Sequence, residues 1–195
     1  MTHAITATSN DTDPDSPLGR RIAVFGKGGK TTLARALAER FGLLFVELDA
    51  IRHQPNWQEM PDDEFREVVY STLDGAEAGW VVDGNYRIVR PLVMELAETV
   101  IVLALPWRLM FWRTLKRSIK RLFDRAPLWN GNRETVWLTF FSKYSVVYDL
   151  WWRRQHFKNM ETEITEQIPP GASTRVIRSA SELADFYREF QLERR

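Results

Sequence analysis

The run Ile22 to Arg35, I-A-V-F-G-K-G-G-K-T-T-L-A-R, constrains this chain more than any other. Four apolar residues lead into a glycine cluster, the cluster closes on Lys30, Thr31 and Thr32, and a helical pattern starts at once. A short, wholly apolar run suits a strand buried on both faces of a parallel sheet. Glycines let backbone N–H groups turn toward an anion, Lys30 adds a mobile charge, the Thr31 hydroxyl can ligate Mg²⁺, and the following helix directs its positive end the same way. Gly26, Lys27, Gly28, Gly29, Lys30, Thr31 and Thr32 are therefore candidate phosphate ligands. The spacing is short: the pattern G-x-x-x-x-G-K-[ST] has four residues between its glycines, whereas Gly26 and Gly29 enclose only Lys27 and Gly28. Each amide donor lost from such a loop removes a charged hydrogen bond of about 1.5 to 3 kcal/mol. The competing reading is a tight strand-to-helix connection with no ligand. A lysine and two hydroxyls at a buried strand terminus favour the phosphate.

Further strands are expected at Leu43–Leu48, ending in Asp49; at Trp80–Val82, ending in Asp83; at Thr99–Leu105, stopped by Pro106; and at Thr174–Ile177. Between them lie helical patterns. Leu33, Leu37 and Phe41 share a face, with Gly42 as the C-cap. Pro61-Asp62-Asp63-Glu64 opens a helix with Phe65, Val68, Val69 and Leu73 as its apolar stripe. Others are expected over Val89–Leu96, Leu109–Phe123 and an aromatic-rich Thr135–Phe157. A capping box at Ser179 and Glu182 opens the last, which buries Leu183, Phe186, Tyr187 and Phe190. Five strands alternating with helices predict an α/β fold with a parallel sheet, whose ligands gather at the carboxyl ends of the strands. The glycine loop, Asp49 and Asp83 all stand at such ends.

Asp83 after an apolar strand fits the acid that holds Mg²⁺ beside a phosphate loop, usually through water; the alternative is a turn-forming Asp-Gly. Asp49 has two readings, as a group that orients or deprotonates an acceptor hydroxyl, or as the cap of a helix beginning near Ile51. Arg113, Arg117 and Arg121 recur every fourth residue, with Lys116 and Lys120 beside them and Arg125 and Arg133 following. Such a face is a phosphate clamp, a solvated surface or a nucleic-acid contact. The aromatic stripe from Trp137 to Trp152 reads as core, and His53, alone in a polar loop, as structural.

Charge and composition narrow the classes. From Trp107 to Met160 there are twelve basic residues and three acidic ones, a local net charge of +9 in a chain whose total is +1, so an anionic partner is expected there. The absence of cysteine excludes disulfides and thiolate metal sites. With 195 residues and 44% hydrophobic content, one domain over 20–193 is expected, after a polar, disordered leader over 1–19. Neither a signal peptide nor a membrane span is evident, so the chain is expected in the cytoplasm, away from membranes.

The segments V-F-G-K-G-G-K-T-T-L-A-R, V-E-L-D-A-I, W-V-V-D-G-N-Y-R, L-P-W-R, the arginine-spaced helix and L-W-N-G-N-R-E together resemble the adenylate-kinase-like P-loop proteins. They most closely resemble the bacterial group named DNA topology modulation proteins, over Arg21 to Phe190. The resemblance implies a three-layer P-loop NTPase fold, with a five-stranded parallel sheet in the order 2-3-1-4-5 that sets Asp83 next to the phosphate loop. It implies ATP and Mg²⁺ as cofactors, with Lys30 and the loop amides on the β and γ phosphates and Thr31 and Asp83 on the metal. Asp83-Gly84 followed by Arg87 looks like the D-G-x-x-R of nucleoside monophosphate kinases, whose arginine holds the acceptor phosphate, and Asp49 would face the acceptor. A helical arginine lid over about 113–135 would close on ATP, with Arg117 among the nucleotide ligands. Arg121 and Arg125 would join Lys30 and Asp49 in catalysis. The expected function is transfer of the γ-phosphoryl of ATP to a small, nucleotide-like acceptor, or its slow hydrolysis. The alternative is a non-catalytic nucleic-acid-binding or regulatory module.

Overall fold

In the computed structural model, which describes residues 17–26, 28–124, 130 and 154–193, the apolar run before the glycines is the middle strand of a sheet. This strand, β1 (Arg21–Gly26), pairs in parallel with β3 (Trp80–Asp83) on one side and β4 (Thr99–Leu103) on the other. The edges are β2 (Leu44–Glu47) beside β3 and β5 (Ser173–Ile177) beside β4, so the order is β2-β3-β1-β4-β5 and every pairing is parallel. Consecutive residues of β1, β3 and β4 are buried, which requires cover on both faces and explains the unbroken apolar runs. The exposed residues of β5 are Ser173, Thr174 and Arg175, polar or charged as an open edge requires.

Helices fill the crossovers. They are α1 (Lys30–Phe41), the short α2 (Leu48–Arg52), α3 (Asp62–Asp74), α4 (Arg90–Leu96), α5 (Trp107–Asp124), α6 (Arg154–Thr165) and α7 (Ala180–Glu189). Leu33, Leu37 and Phe41 of α1 are buried as the spacing predicts, and Gly42 ends the helix in the left-handed conformation. Phe190, just past α7, meets Phe41 edge to face at 6.3 Å, which fastens the end of the chain to α1. Phe65, Val69 and Leu73 are the buried stripe of α3. Among the described residues no helix is long and apolar enough to cross a membrane.

Several boundaries depart from expectation. The second strand stops at Glu47, and Leu48 opens α2 rather than closing the strand. Gly84 makes room for this: a Cβ there would lie 2.6 Å from the Leu48 Cβ, so a side chain at 84 would displace the buried Leu48 that opens the helix. β4 ends at Leu103, while Ala104 N–H still donates to Ile177 O at 2.9 Å and Leu105 is buried in the connection. α5 begins directly after Pro106, two residues before the expected start. The aromatic stretch Thr135–Phe157 lies outside the described residues up to 153, and α6 runs past Phe157 because Met160 and Ile164, one turn apart, are both buried. The fold also begins before residue 20. Leu18 is in the core, and its carbonyl accepts a 2.5 Å hydrogen bond from the buried Thr99 hydroxyl.

Candidate functional site

β1 ends in the glycine loop, and α1 starts from it at Lys30. Gly26, Gly28 and Gly29 all have positive φ, at 111°, 84° and 138°. At Gly26 a side chain would strike the Leu103 carbonyl, so the loop is folded hard against β4. No side chain caps α1, and its first intrahelical bond runs from Leu33 N–H to Gly29 O. The amides of Lys30, Thr31 and Thr32 therefore precede the helical ladder, and with no acid in the first turn their end of the helix stays positive.

The parallel register sets Val24 of β1 beside Asp83 and Glu47 of β2 on the other side of it. Asp83 thus occupies the carboxyl end of the strand next to the glycine loop. It is 2% exposed, and Lys30 Nζ donates to its Oδ1 in an ion pair. From the far side of the loop comes Arg113 of α5, whose Nη1 donates to Gly28 O at 2.9 Å. The structure so gathers a lysine, an arginine, a helix N-terminus and a buried carboxylate around one strand-end loop.

A second polar group lies one strand further out. Asp49, in the first turn of α2, accepts a 2.6 Å hydrogen bond from the Tyr86 hydroxyl, and His53 Nε2 is 3.3 Å from the same hydroxyl. Burial first, and then the charge and hydrogen bond of Asp49, push the Tyr86 phenol well above its usual range, so it remains a donor. The Tyr86 ring packs edge to face on Phe65 at 5.2 Å, which anchors it to α3. Arg52 pairs with Glu59 at 2.9 Å and Asp62 at 2.7 Å. Asn130 Nδ2 donates to Ala50 O at 3.2 Å and His53 O at 2.6 Å, closing the end of α2.

Of the residues singled out from sequence, Gly26, Gly28, Gly29, Lys30, Thr31, Thr32 and Asp83 come together at the ends of β1 and β3. Asp49 sits inside α2, so it is not the cap of a helix near Ile51. Arg87 is exposed on the turn after β3. Lys27, Arg125 and the side chains of Arg117 and Arg121 lie outside the described residues. His53, read as structural, adjoins Tyr86 and meets Trp57 edge to face at 5.7 Å. Two neighbours of these groups were not singled out for the site, Tyr86 and His53, while Arg113, the first member of the arginine repeat, meets the glycine loop at Gly28 O.

A groove of about 310 Å³ lies at the opposite, amino end of the strands, lined by Arg20, Arg21 and Glu98 among others. Three of its charged residues are held in place: Glu98 accepts from Arg20 N–H at 2.6 Å and Arg21 Nε at 3.0 Å, and Arg20 Nε donates to Ala78 O at 2.8 Å. It is a structural brace. Comparison of the chain with protein-family models and with curated proteins gives no match.

Proposed function

We propose that this chain is an adenylate-kinase-like P-loop protein, of the kind named DNA topology modulation proteins. On this reading it binds Mg-ATP at the Lys30–Asp83 end of the sheet and transfers the γ-phosphoryl to a small acceptor, or to water. The observation that carries the reading is the ion pair between the first residue of a glycine-led helix and the buried acid ending the neighbouring parallel strand. A buried ion pair adds little stability over apolar residues of the same size, so its presence at a strand end is better explained by a ligand. Lys30, the leading amides of α1 and Arg113 supply positive charge and donors for a polyphosphate. Asp83 and Thr31 offer the oxygen donors that Mg²⁺ takes. Among the described residues no group of three or more His, Asp or Glu is placed to hold a metal, so the ion would take its remaining oxygens from phosphate and water. Bound there, Mg²⁺ supplies charge neutralisation on the β and γ phosphates. Lys30 leaves Asp83 for the phosphate, and Arg117, Arg121 and Arg125, which follow Arg113 in the sequence, bring further charge. Such an activity belongs to the cytoplasm.

Calorimetry with Mg-ATP is the test. Heat and saturable binding are expected, with Lys30→Ala abolishing both and Asp83→Ala weakening the dependence on Mg²⁺. No detectable heat or competition at millimolar nucleotide would sink the proposal.

A further inference from the structure

The groups around Asp49 say what kind of acceptor can sit beside the phosphate loop. The first turn of α2 lies over Gly84, next to Asp83, so Asp49 and the Lys30–Asp83 pair belong to adjacent strand ends. Asp49 is faced by a phenol, Tyr86, which adjoins an imidazole, His53. Of the two guanidiniums nearby in the fold or the sequence, Arg52 is only 13% exposed and engaged by two carboxylates, so it has little left for an anionic ligand, and Arg87, exposed on the turn after β3, makes no hydrogen bond or ion pair with Asp49 or Tyr86. Among the described residues, Asn85, between Gly84 and Tyr86, keeps its Oδ1 buried with no hydrogen-bond partner. A buried acceptor oxygen is satisfied by an O–H or N–H donor, and a phosphate dianion has none to give. Next to the Asp49 carboxylate, a phosphate would also meet like charge.

We propose, resting on the phosphotransfer reading above, that the acceptor subsite is the Asp49–Tyr86–Asn85 face and that it takes an uncharged hydroxyl compound of nucleoside or polyol type, not a phosphomonoester. In the step, the acceptor hydroxyl oxygen forms a bond to the γ-phosphorus as the bond from that phosphorus to the β–γ bridging oxygen breaks. The hydroxyl proton passes to the Asp49 carboxylate, and ADP leaves with the bond's electron pair. Tyr86 is a positioning residue: its O–H on Asp49 Oδ1 holds the carboxylate, and its ring is fixed by Phe65. Asn85 Oδ1 accepts from a second hydroxyl of the acceptor.

The test uses the full chain with Mg-ATP, reading ADP release and the phosphorus NMR spectrum of the product. Adenosine, thymidine and sorbitol serve as neutral acceptors and AMP as the phosphomonoester; ATP affinity is followed by calorimetry and folding by thermal melts. At least one neutral compound should raise ADP release over water and yield a new phosphomonoester signal, while AMP does neither. Asp49→Asn should lower kcat about 100-fold while ATP affinity holds. Tyr86→Phe, which keeps the ring on Phe65, should lower kcat about tenfold with KM and melting temperature nearly unchanged. The proposal is overturned if AMP is the better acceptor, if ATP binds but no neutral compound is phosphorylated, or if Asp49→Asn turns over like the parent. Failure of ATP binding would defeat the phosphotransfer reading instead. Calorimetry of the neutral panel without nucleotide then decides the subsite: saturable heat lost in Asp49→Asn supports it, and no heat overturns it.

Discussion

Asp83 is almost wholly out of water, and the charge that makes this tolerable is the Lys30 ammonium, itself mostly covered. Removing one partner of such a pair strands the other, whereas removing both leaves an apolar contact. Lys30→Met should therefore lower stability by about 3 kcal/mol in denaturant unfolding, and Lys30→Met with Asp83→Leu should recover most of that loss. Equal melts for the single and double variants would mean that the pair is not closed in solution. Gly26→Ala tests the loop backbone. The new methyl would sit 2.3 Å from the Leu103 carbonyl at a φ of 111°, a conformation that alanine resists. A cost of about 2 kcal/mol or more is expected, with any ATP heat lost as well.

At the level of elements, two devices can be tested without touching the site. Ser179 Oγ accepts from Glu182 N–H at 3.1 Å at the start of α7, so Ser179→Ala should cost about 1 kcal/mol. Glu98 joins the start of β1 to that of β4. Its partial burial works against ionisation, but the Arg20 N–H, the Arg21 side chain and the Arg21 N–H together outweigh it and hold the carboxyl below its usual range. A lowered folded-state pKa adds stability that is present above the usual glutamate range and lost as pH falls through and below it. Acid unfolding of Glu98→Gln should accordingly begin from a lower stability and show a shallower slope. The elements themselves were largely legible because burial leaves a period in the sequence. Apolar runs marked β1, β3 and β4, and a 3.6-residue stripe marked α1, α3 and α7. What escaped depended on partners remote in sequence. The opening residue of α2, Leu48, packs on Gly84, the Asp49–Tyr86 bond joins residues 37 apart, and Arg113 reaches the Gly28 carbonyl 85 positions away. The positions of the glycine loop and Asp83 at neighbouring strand ends were legible because short strings mark them; the Asp49–Tyr86–His53 contacts were not, because they exist only once the strand ends are side by side.

For the molecule as a whole, a ligand that binds only the folded state raises its stability, so on the proposed function Mg-ATP at 100 times its Kd should add about 2.7 kcal/mol, visible as an upward shift of the thermal midpoint. The +9 charge between Trp107 and Met160 supports a rival reading in which that segment contacts nucleic-acid phosphates. Filter binding to duplex DNA separates the two. Affinity that falls steeply with salt and ignores Lys30→Ala would favour the rival, and salt-insensitive, negligible binding would remove it. The placement of Leu18 has a practical corollary. Leu18 is packed in the core and held by Thr99 at the amino ends of the strands, the end of the sheet opposite the glycine loop. A molecule tethered to a sensor surface through that end of the sheet would turn the Lys30–Asp83 pair toward the solution, so that Mg-ATP could be flowed over an unobstructed face to test the proposed binding.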